Sequence, residues 1–238
     1  MNILITAGGT EEPIDEVRMI KNQATGRLGI TVARQLLDEH MTVDVIVTPN
    51  VDIIPIENEA SVYQVRTVRD LMSQMQYLLE NKSYDVVIHT MAVSDFQLVG
   101  IATEDQIQAV LDENEALRSY QFSQLFMHSM DSKISSQHEG LYLKLEPTPK
   151  VIDHIKQWQP NTTLIGFKLL VDASEEELMM AAHRQQELAG SDYVVINNQN
   201  DIDSHHHYAK LVSHQNVLSS FTTKEEIAQG LVKVVKEL

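Results

Sequence analysis

The run Asn2–Ala7 (NILITA) is short, apolar and β-branched, as a buried strand should be, and it ends directly on Gly8-Gly9-Thr10. Glycine lets the chain turn sharply and lets a ligand come close to the backbone. A second cluster of small residues, Ala24-Thr25-Gly26, precedes a helical spacing of Leu28, Val32, Leu36 and Leu37. Free N–H groups at such a helix start attract phosphate or carboxylate. Strand, glycine turn and helix start together read either as the opening of a nucleotide-binding α/β unit or as an ordinary strand-loop-helix connection. The usual dinucleotide fingerprint is absent. There is no G-x-G-x-x-G, and about a dozen mostly polar residues separate the glycine turn from the helix. Glu11, Glu12, Asp15, Arg18, Lys21 and Asn22 lie in that stretch, which suits a recognition loop.

Further strands are expected at Thr42–Val47, Ser61–Arg66, Tyr84–His89, Gly140–Glu146, Thr162–Leu170 and Asp192–Asn197. Helical spacing covers Asp70–Leu79 and Val151–Trp158, the latter started by Pro149. A capping box at Ser174 and a terminal Gly190 bracket another helix. His207–Ser213 and Val217–Thr222 suggest a C-terminal β-hairpin, followed by an amphipathic helix over Thr223–Leu238. Alternation of strands and helices predicts an α/β fold, a Rossmann-like mostly parallel sheet flanked by helices, within a single domain over residues 1–238. Ligands of such sheets bind beyond the carboxyl ends of the strands. Asp95, in the turn Met91-Ala92-Val93-Ser94-Asp95 after the strand at Tyr84–His89, is therefore a site candidate, with a helix N-cap or turn aspartate as the alternative. Gly166, inside a strand, marks a close approach of ligand or backbone. The stretch Gln97–Ser132 is polar with a thin apolar stripe and reads as an inserted arm or flap. Leu141, Leu143 and Leu145 alternate in the next strand, giving it one dry and one wet face.

Composition narrows the partners. The net charge of −16, from 34 acidic and 18 basic residues, disfavours nucleic acid. A phosphorylated small molecule would need a local cluster drawn from Arg18, Lys21, Arg27, Lys133, Lys150 and Lys168. The absence of cysteine excludes disulfides, thiolate metal sites and cysteine nucleophiles. No apolar run is long enough to cross a membrane, and strand-like sequence begins at residue 2, so a cytoplasmic protein without a leader is expected. His205-His206-His207 reads as a polar loop, since adjacent histidines rarely converge on one ion. No G-x-S-x-G elbow or Walker A sequence occurs.

Several ordered segments resemble one family. ILITAGGTEEPIDEVRMIKNQATGRLG, MAVSDF, the Lys-Ile of DSKISS, PTPKVID, LIGFKL and SDYVVINN together resemble phosphopantothenoylcysteine synthetase, or phosphopantothenate–cysteine ligase, of the bacterial CTP-using kind. The match runs from Asn2 to the C-terminal helix apart from Gln97–Ser132. The resemblance implies a ligase of coenzyme A synthesis. The carboxylate of 4′-phosphopantothenate attacks the α-phosphorus of CTP and pyrophosphate leaves. The amine of L-cysteine then attacks the acyl-cytidylate and CMP leaves, with Mg²⁺ bridging phosphates. It also implies roles. Asn22 resembles the asparagine that holds the pantothenate and the acyl intermediate. Lys133 resembles the lysine of a mobile flap. Arg18, Ala24, Thr25 and Gly26 fall on the substrate side. Gly8, Gly9, Thr10, Met91, Ala92, Asp95, Lys133, Pro149, Lys150, Val151, Ile152, Phe167 and Arg184 fall on the nucleotide side. No metal ligands are assigned. Members of the family are commonly homodimers, and many are fused behind a flavin-dependent decarboxylase; neither flavin nor decarboxylation is expected here. The chain departs from the family where Ser135, Ser136, Gln185 and Ala189 stand at lysine positions, and where Lys168, Leu169 and Leu170 replace an acidic pair, which bears on CTP against ATP selectivity. Two rivals are an NAD(P)-dependent oxidoreductase and a catalytically silent nucleotide-binding module. Thr48-Pro49-Asn50 stands where the first needs an acidic ribose contact.

Overall fold

A computed structural model describes residues 1–109, 126, 139–203, 205–214 and 216–238. In chain order the first elements are β1 (Asn2–Ala7), β2 (Glu11–Pro13), β3 (Met19–Lys21), α1 (Arg27–Asp38), β4 (Thr42–Val47) and β5 (Ser61–Gln64). Then come α2 (Val68–Asn81), β6 (Val86–His89), β7 (Phe96–Thr103), α3 (Glu104–Gln108), β8 (Leu141–Pro147) and α4 (Ile152–Trp158). The chain closes with β9 (Thr163–Leu170), α5 (Glu175–Ala189), β10 (Tyr193–Ile202), β11 (His207–Ser213), β12 (Asn216–Phe221) and α6 (Lys224–Lys236). These elements divide into two compact units, Met1–Thr10 with Gln23–Val93 and Lys150–Leu238, and Glu11–Asn22 with Ser94–Pro149.

The first unit is built on an eight-stranded sheet in the order β12-β11-β10-β9-β6-β1-β4-β5. The six strands from β10 to β5 are parallel, and β11 and β12 form the antiparallel hairpin at one edge. This is the mostly parallel, helix-flanked sheet expected from the sequence. Alternate residues point to opposite faces. Ile3, Ile5, Val86, Ile88 and Ile165 meet the buried sides of α1 and α6. Leu4, Val87 and Leu164 meet α2 and α4, and Val194 and Ile196 meet Ala182 of α5. Both faces are covered, so the parallel strands read as nearly continuous apolar runs. The capping box of α5 is formed, with the Ser174 hydroxyl accepting from the Glu177 N–H at 3.3 Å, and Gly190 closes the helix in the left-handed region at φ 67. Helix α2 runs two residues further at each end than its apolar spacing suggested, because Thr67 and Asp70 make a second capping box. Helix α4 begins at Ile152, three residues after Pro149. Leu28 is only partly covered on α1, whose buried side is completed by Ile30 and Ala33.

The second unit holds two antiparallel pairs, β2-β3 and β7-β8. Neither β2, β3 nor β7 was evident as a strand in the sequence, and the arm expected over 97–132 supplies β7 and α3. The described part of this unit buries Ala102, Ile107 and Phe126 together. Leu143 and Leu145 are 39% and 41% exposed, so β8 lacks the dry face that alternation implied. His207, last of the three histidines and first residue of the expected hairpin strand, is buried and bonded to Asn197 at 2.9 Å, and burial pushes its imidazole down to about 4. No helix among the described residues is long and apolar enough to cross a membrane.

At the amino-terminal edge of the sheet Asp44 is buried within β4, where it accepts hydrogen bonds from Tyr84 Oη and Lys82 Nζ, each at 2.6 Å. Burial, and next the bond to Asp44, push the Tyr84 phenol well above its ordinary value. A proton held more tightly in the folded state adds stability that is complete below the unfolded pKa of about 10 and is lost as pH rises towards the folded one. Tyr84→Phe should therefore lose about 1–3 kcal/mol at pH 8, and its gap to wild type should shrink above pH 10. Urea unfolding at pH 8 to 11 checks both signs; a constant gap would remove Tyr84 as the titrating group.

Candidate functional site

The strand order turns back between β1 and β6. From β1 the chain proceeds to β4 and β5 on one side, then crosses to β6, β9 and β10 on the other. In open parallel sheets the crevice at this reversal is where ligands bind. Here the backbone closes on itself. The Ala92 N–H donates to the Gly8 carbonyl at 2.9 Å, and the Thr10 N–H donates to the Ala92 carbonyl at 3.0 Å. Gly9 and Ala92 pair as an isolated parallel bridge. Gly8 has φ 106, and a Cβ on it would strike the Thr48 hydroxyl and lie 2.8 Å from Val51 Cγ2. Gly26, at φ 72, is the N-cap of α1 and supplies no side-chain cap. A Cβ on Gly26 would sit 2.7 Å from Val51 Cγ2 and 3.1 Å from the Gly8 nitrogen. The N-terminus of α1, whose Arg27 N–H donates to the Thr25 hydroxyl at 3.4 Å, is thereby brought against the glycine turn. Peptide N–H groups and the positive end of the helix face an anion in such a place.

The first unit thus gathers Gly8, Gly9, Thr10, Gly26, Met91 and Ala92 within one backbone network, with Ala24 and Thr25 leading into it. Met91 is buried and shares an apolar cluster with Val151, Ile152 and Ile155. Phe167 packs on the other face of the sheet, with the cluster that holds α1. Gly166 does not leave the space open that its position suggested. A Cβ there would run into the Gln185 amide and stand 3.0 Å from Ile152 Cδ1, so the protein's own side chains fill the approach. Gln185 turns inward on α5 while the neighbouring Arg184 is exposed. Lys150 is exposed where the chain enters α4.

The second unit carries the other assigned residues. Asp15 is buried within the β2-β3 hairpin and accepts from the N–H groups of Val17 and Arg18 at 2.9 and 2.8 Å. The Arg18 guanidinium clasps the same carboxylate, with Nε at 3.0 Å and Nη2 at 2.5 Å. Arg18, assigned to substrate, is thus also the residue that closes the hairpin. Asn22 is half-buried directly after β3. Asp95 stands in the bend that leads into β7, so the helix N-cap alternative falls away and the turn aspartate remains. Its carbonyl accepts from the Thr148 N–H at 3.0 Å, and the Thr148 hydroxyl donates to the Ser94 carbonyl at 2.5 Å. This clamp sets Asp95 beside Thr148, with Pro149 next in the chain. Lys133 lies outside the described residues.

A polar layer below the glycine turn escaped the sequence reading. Thr6 is fully buried, and its hydroxyl meets His89 Nδ1 at 2.8 Å and the Met91 N–H at 3.2 Å. Burial pushes the His89 imidazole down to about 4. Thr48 is also buried and accepts from the Gly9 N–H at 3.3 Å. The one visible signal was a histidine directly after the apolar run Val86-Val87-Ile88.

Fold and glycine turn together define an α/β protein of the doubly wound type. Residues 1–114 and 125–238 match the family described as DNA/pantothenate metabolism flavoprotein C-terminal domain, and the chain belongs to it. It is 34% identical over 174 residues to the coenzyme A biosynthesis bifunctional protein CoaBC of Thermococcus kodakarensis, covering 73% of this chain and 35% of that protein. The chain therefore spans about a third of the length of that relative. A crystal structure of the DNA/pantothenate metabolism flavoprotein from Streptococcus pneumoniae superposes with TM-score 0.86 at 35% identity, covering 100% of this chain and 99% of that one. The structure of a Cab2 H337A mutant in complex with phosphopantothenate-cysteine shares the fold at 17% identity, with TM-score 0.69 and coverage of 99% and 86%.

The closeness of α1 to the sheet gives a direct test. A Cβ on Gly29 would lie 2.6 Å from Ala7 Cβ and 2.8 Å from Thr90 Oγ1. Gly29→Val should lower the unfolding free energy by roughly 1–3 kcal/mol through overpacking. Guanidinium unfolding measures this; an unchanged midpoint would mean that α1 does not sit against Ala7 and Thr90.

Proposed function

We propose that this chain is a phosphopantothenate–cysteine ligase that uses CTP. The observation that carries the reading is the backbone cradle at the strand reversal, where Gly8–Thr10, the α1 N-terminus and Met91–Ala92 meet in a member of this family. The carboxylate of 4′-phosphopantothenate attacks the α-phosphorus of CTP. The α–β phosphoanhydride bond breaks, pyrophosphate leaves and a mixed anhydride with CMP forms. The amine of L-cysteine then attacks the acyl carbon, loses a proton and expels CMP. A carboxylate is a weak nucleophile towards a polyanion, so the protein contributes mainly position and charge neutralisation.

In this reading the first-turn peptide N–H groups of α1 receive phosphate, the glycine turn lets it approach closely, and the carbonyls of Met91 and Ala92 accept from the cytosine together with the strand around Phe167. Val151 and Ile152 wall the nucleotide site, Lys150 and Arg184 add charge near it, and Asp95 fixes the nucleotide. The Asn22 amide both donates and accepts, which suits the uncharged pantothenate arm and the acyl intermediate. Lys133 opposes charge at the α-phosphorus. Among the described residues no three His, Asp or Glu side chains form a metal-ligand group. Mg²⁺ would enter with the phosphates and neutralise their charge, in keeping with its habit of retaining water and substrate oxygens. The dinucleotide alternative is disfavoured because Thr48, at the end of β4, directs its hydroxyl to Gly9 and no acidic residue stands there. A cytoplasmic enzyme is consistent with the soluble substrates.

Purified protein with CTP, Mg²⁺, phosphopantothenate and cysteine should release equal amounts of CMP and pyrophosphate, and ATP should serve at least tenfold less well, a difference of about 1.4 kcal/mol. Asn22→Asp and Lys133→Gln should keep the melting curve and lose roughly 10² in turnover, about 2.7 kcal/mol. Full turnover by either variant would remove that residue from the mechanism, and no CMP release by wild type would remove the ligase reading.

We also propose a homodimer whose contact includes the β7-β8 pair. Phe96, Tyr142, Leu143 and Leu145 are 52%, 43%, 39% and 41% exposed on it, and clustered apolar exposure of this kind marks an association surface. Sedimentation should give a dimer at micromolar concentration and a shift towards monomer in Leu143→Glu with Leu145→Glu. A wild-type monomer would exclude the proposal.

A further inference from the structure

We infer that His89 is a positioning residue for the nucleotide-binding backbone, acting through Thr6 as a neutral imidazole protonated on Nε2. The inference rests on the nucleotide role proposed above for Met91 and Ala92.

The proton placement follows from counting donors. The Thr6 side chain is completely buried. Its oxygen already accepts from the Met91 N–H at 3.2 Å, and its other neighbour is His89 Nδ1 at 2.8 Å. A hydroxyl has one proton to give. If Nδ1 carried a proton and donated it, the Thr6 hydroxyl proton would have no acceptor, and a buried donor without a partner is costly. With Nδ1 unprotonated, the Thr6 hydroxyl and Nδ1 are both satisfied. Met91 donates to Thr6, Thr6 donates to His89 Nδ1, and the imidazole proton resides on Nε2. Burial acts in the same direction by disfavouring the charged form.

The consequence reaches the cradle in two steps. Thr6 is the register partner of His89, and its own carbonyl accepts the Thr90 hydroxyl at 2.7 Å and the Thr90 N–H at 3.3 Å. Residues 90 and 91 are therefore tied to Thr6 by backbone and hydroxyl alike. The next residue, Ala92, spans Gly8 and Thr10. A threonine hydroxyl rotates freely unless an acceptor fixes it. His89 Nδ1 is that acceptor, and it keeps the oxygen lone pair of Thr6 aimed at the Met91 N–H. His89 thus sets the direction of the peptide planes from Met91 to Ala92 without touching the nucleotide itself.

His89→Leu removes the acceptor, and Thr6→Val removes the relay with little change in shape. Each should raise KM for CTP at least tenfold while kcat stays within about threefold, because the groups affected bind the nucleotide and do not take part in bond making. The double variant should be no worse than the poorer single one, as expected for two residues of one relay. His89→Asn offers an oxygen where Nδ1 stood and should return KM to within threefold of wild type. Nitrogen chemical shifts of labelled protein should show unprotonated Nδ1 and protonated Nε2 at pH 7. A protonated Nδ1, or a nucleotide KM unmoved in both His89→Leu and Thr6→Val, would overturn the inference even if melting temperatures fall. Should His89→Leu not fold, Thr6→Val and His89→Asn decide the matter. Wild-type protein that does not turn over CTP would defeat the ligase reading and this inference with it; wild-type turnover with an unmoved KM defeats the inference alone.

Discussion

The parallel pairing of β1 with β6 is the constraint on which the functional end of the first unit depends. It places the ends of two strands from distant parts of the chain side by side, and the segments leaving them, Gly8–Thr10 and Thr90–Ala92, then have nowhere to run except along each other. Their peptide hydrogen bonds at 2.9 and 3.0 Å each contribute about 1 kcal/mol at most. Their main effect is positional. They hold the glycine turn, and with it the N-terminus of α1, in a fixed place beyond the sheet. Such preorganisation matters more for a triphosphate than any single contact, because donors already aimed need no reorganisation when charge develops.

Close approach is possible only because side chains are missing at three points. Gly8 and Gly26 adopt positive φ, and Gly29 packs on Ala7 and Thr90 with no room for a methyl group. The glycines at 8 and 26 could be recognised in the sequence as punctuation. Gly29 could not, since inside a helical pattern it looks like a mild weakness. Its reason lies across space, in strands whose side chains it must not touch.

Legibility followed the same division between local and distant causes. The parallel strands were readable because burial on both faces leaves them apolar throughout, and α5 was readable because its caps are written at Ser174, Glu177 and Gly190. The β2-β3 hairpin was not. Glu11, Glu12 and Asp15 look like solvent-facing loop residues, yet all are buried, and Asp15 is supported by two peptide N–H groups and Arg18 that no periodicity announces. β7 was hidden because FQLVGIAT adjoins a polar stretch and contains Gly100. β8 misled in the opposite sense, since its alternation is real but Leu143 and Leu145 remain exposed. The glycine turn, the α1 start and Met91–Ala92 could be placed in one site from order alone. Thr6 and His89 could not, because a buried polar pair inside an apolar strand is justified only by the neighbour that satisfies it.

In the proposed reaction a chain with net charge −16 would have to meet a triphosphate and a second phosphate, an electrostatic problem to be solved locally. Few cations are at hand, and Arg18 is engaged with Asp15 at 2.5 Å. The groups gathered at the strand reversal are instead neutral. They are the peptide dipoles of the glycine turn, the N-terminus of α1, and a threonine-histidine pair whose imidazole burial keeps uncharged. Fixed dipoles bind an anion without adding a mobile countercharge, and inside a partly dry crevice they are screened less by salt than exposed lysines would be. They also carry no net charge of their own when the site is empty, so no buried cation has to be stabilised before the nucleotide arrives. The loss of lysines at Ser135, Ser136, Gln185 and Ala189 relative to the family pattern is then compatible with anion binding, provided that the peptide groups keep their directions. That places the demand on the layer beneath them, where Thr6, Thr48 and His89 hold the turn from below.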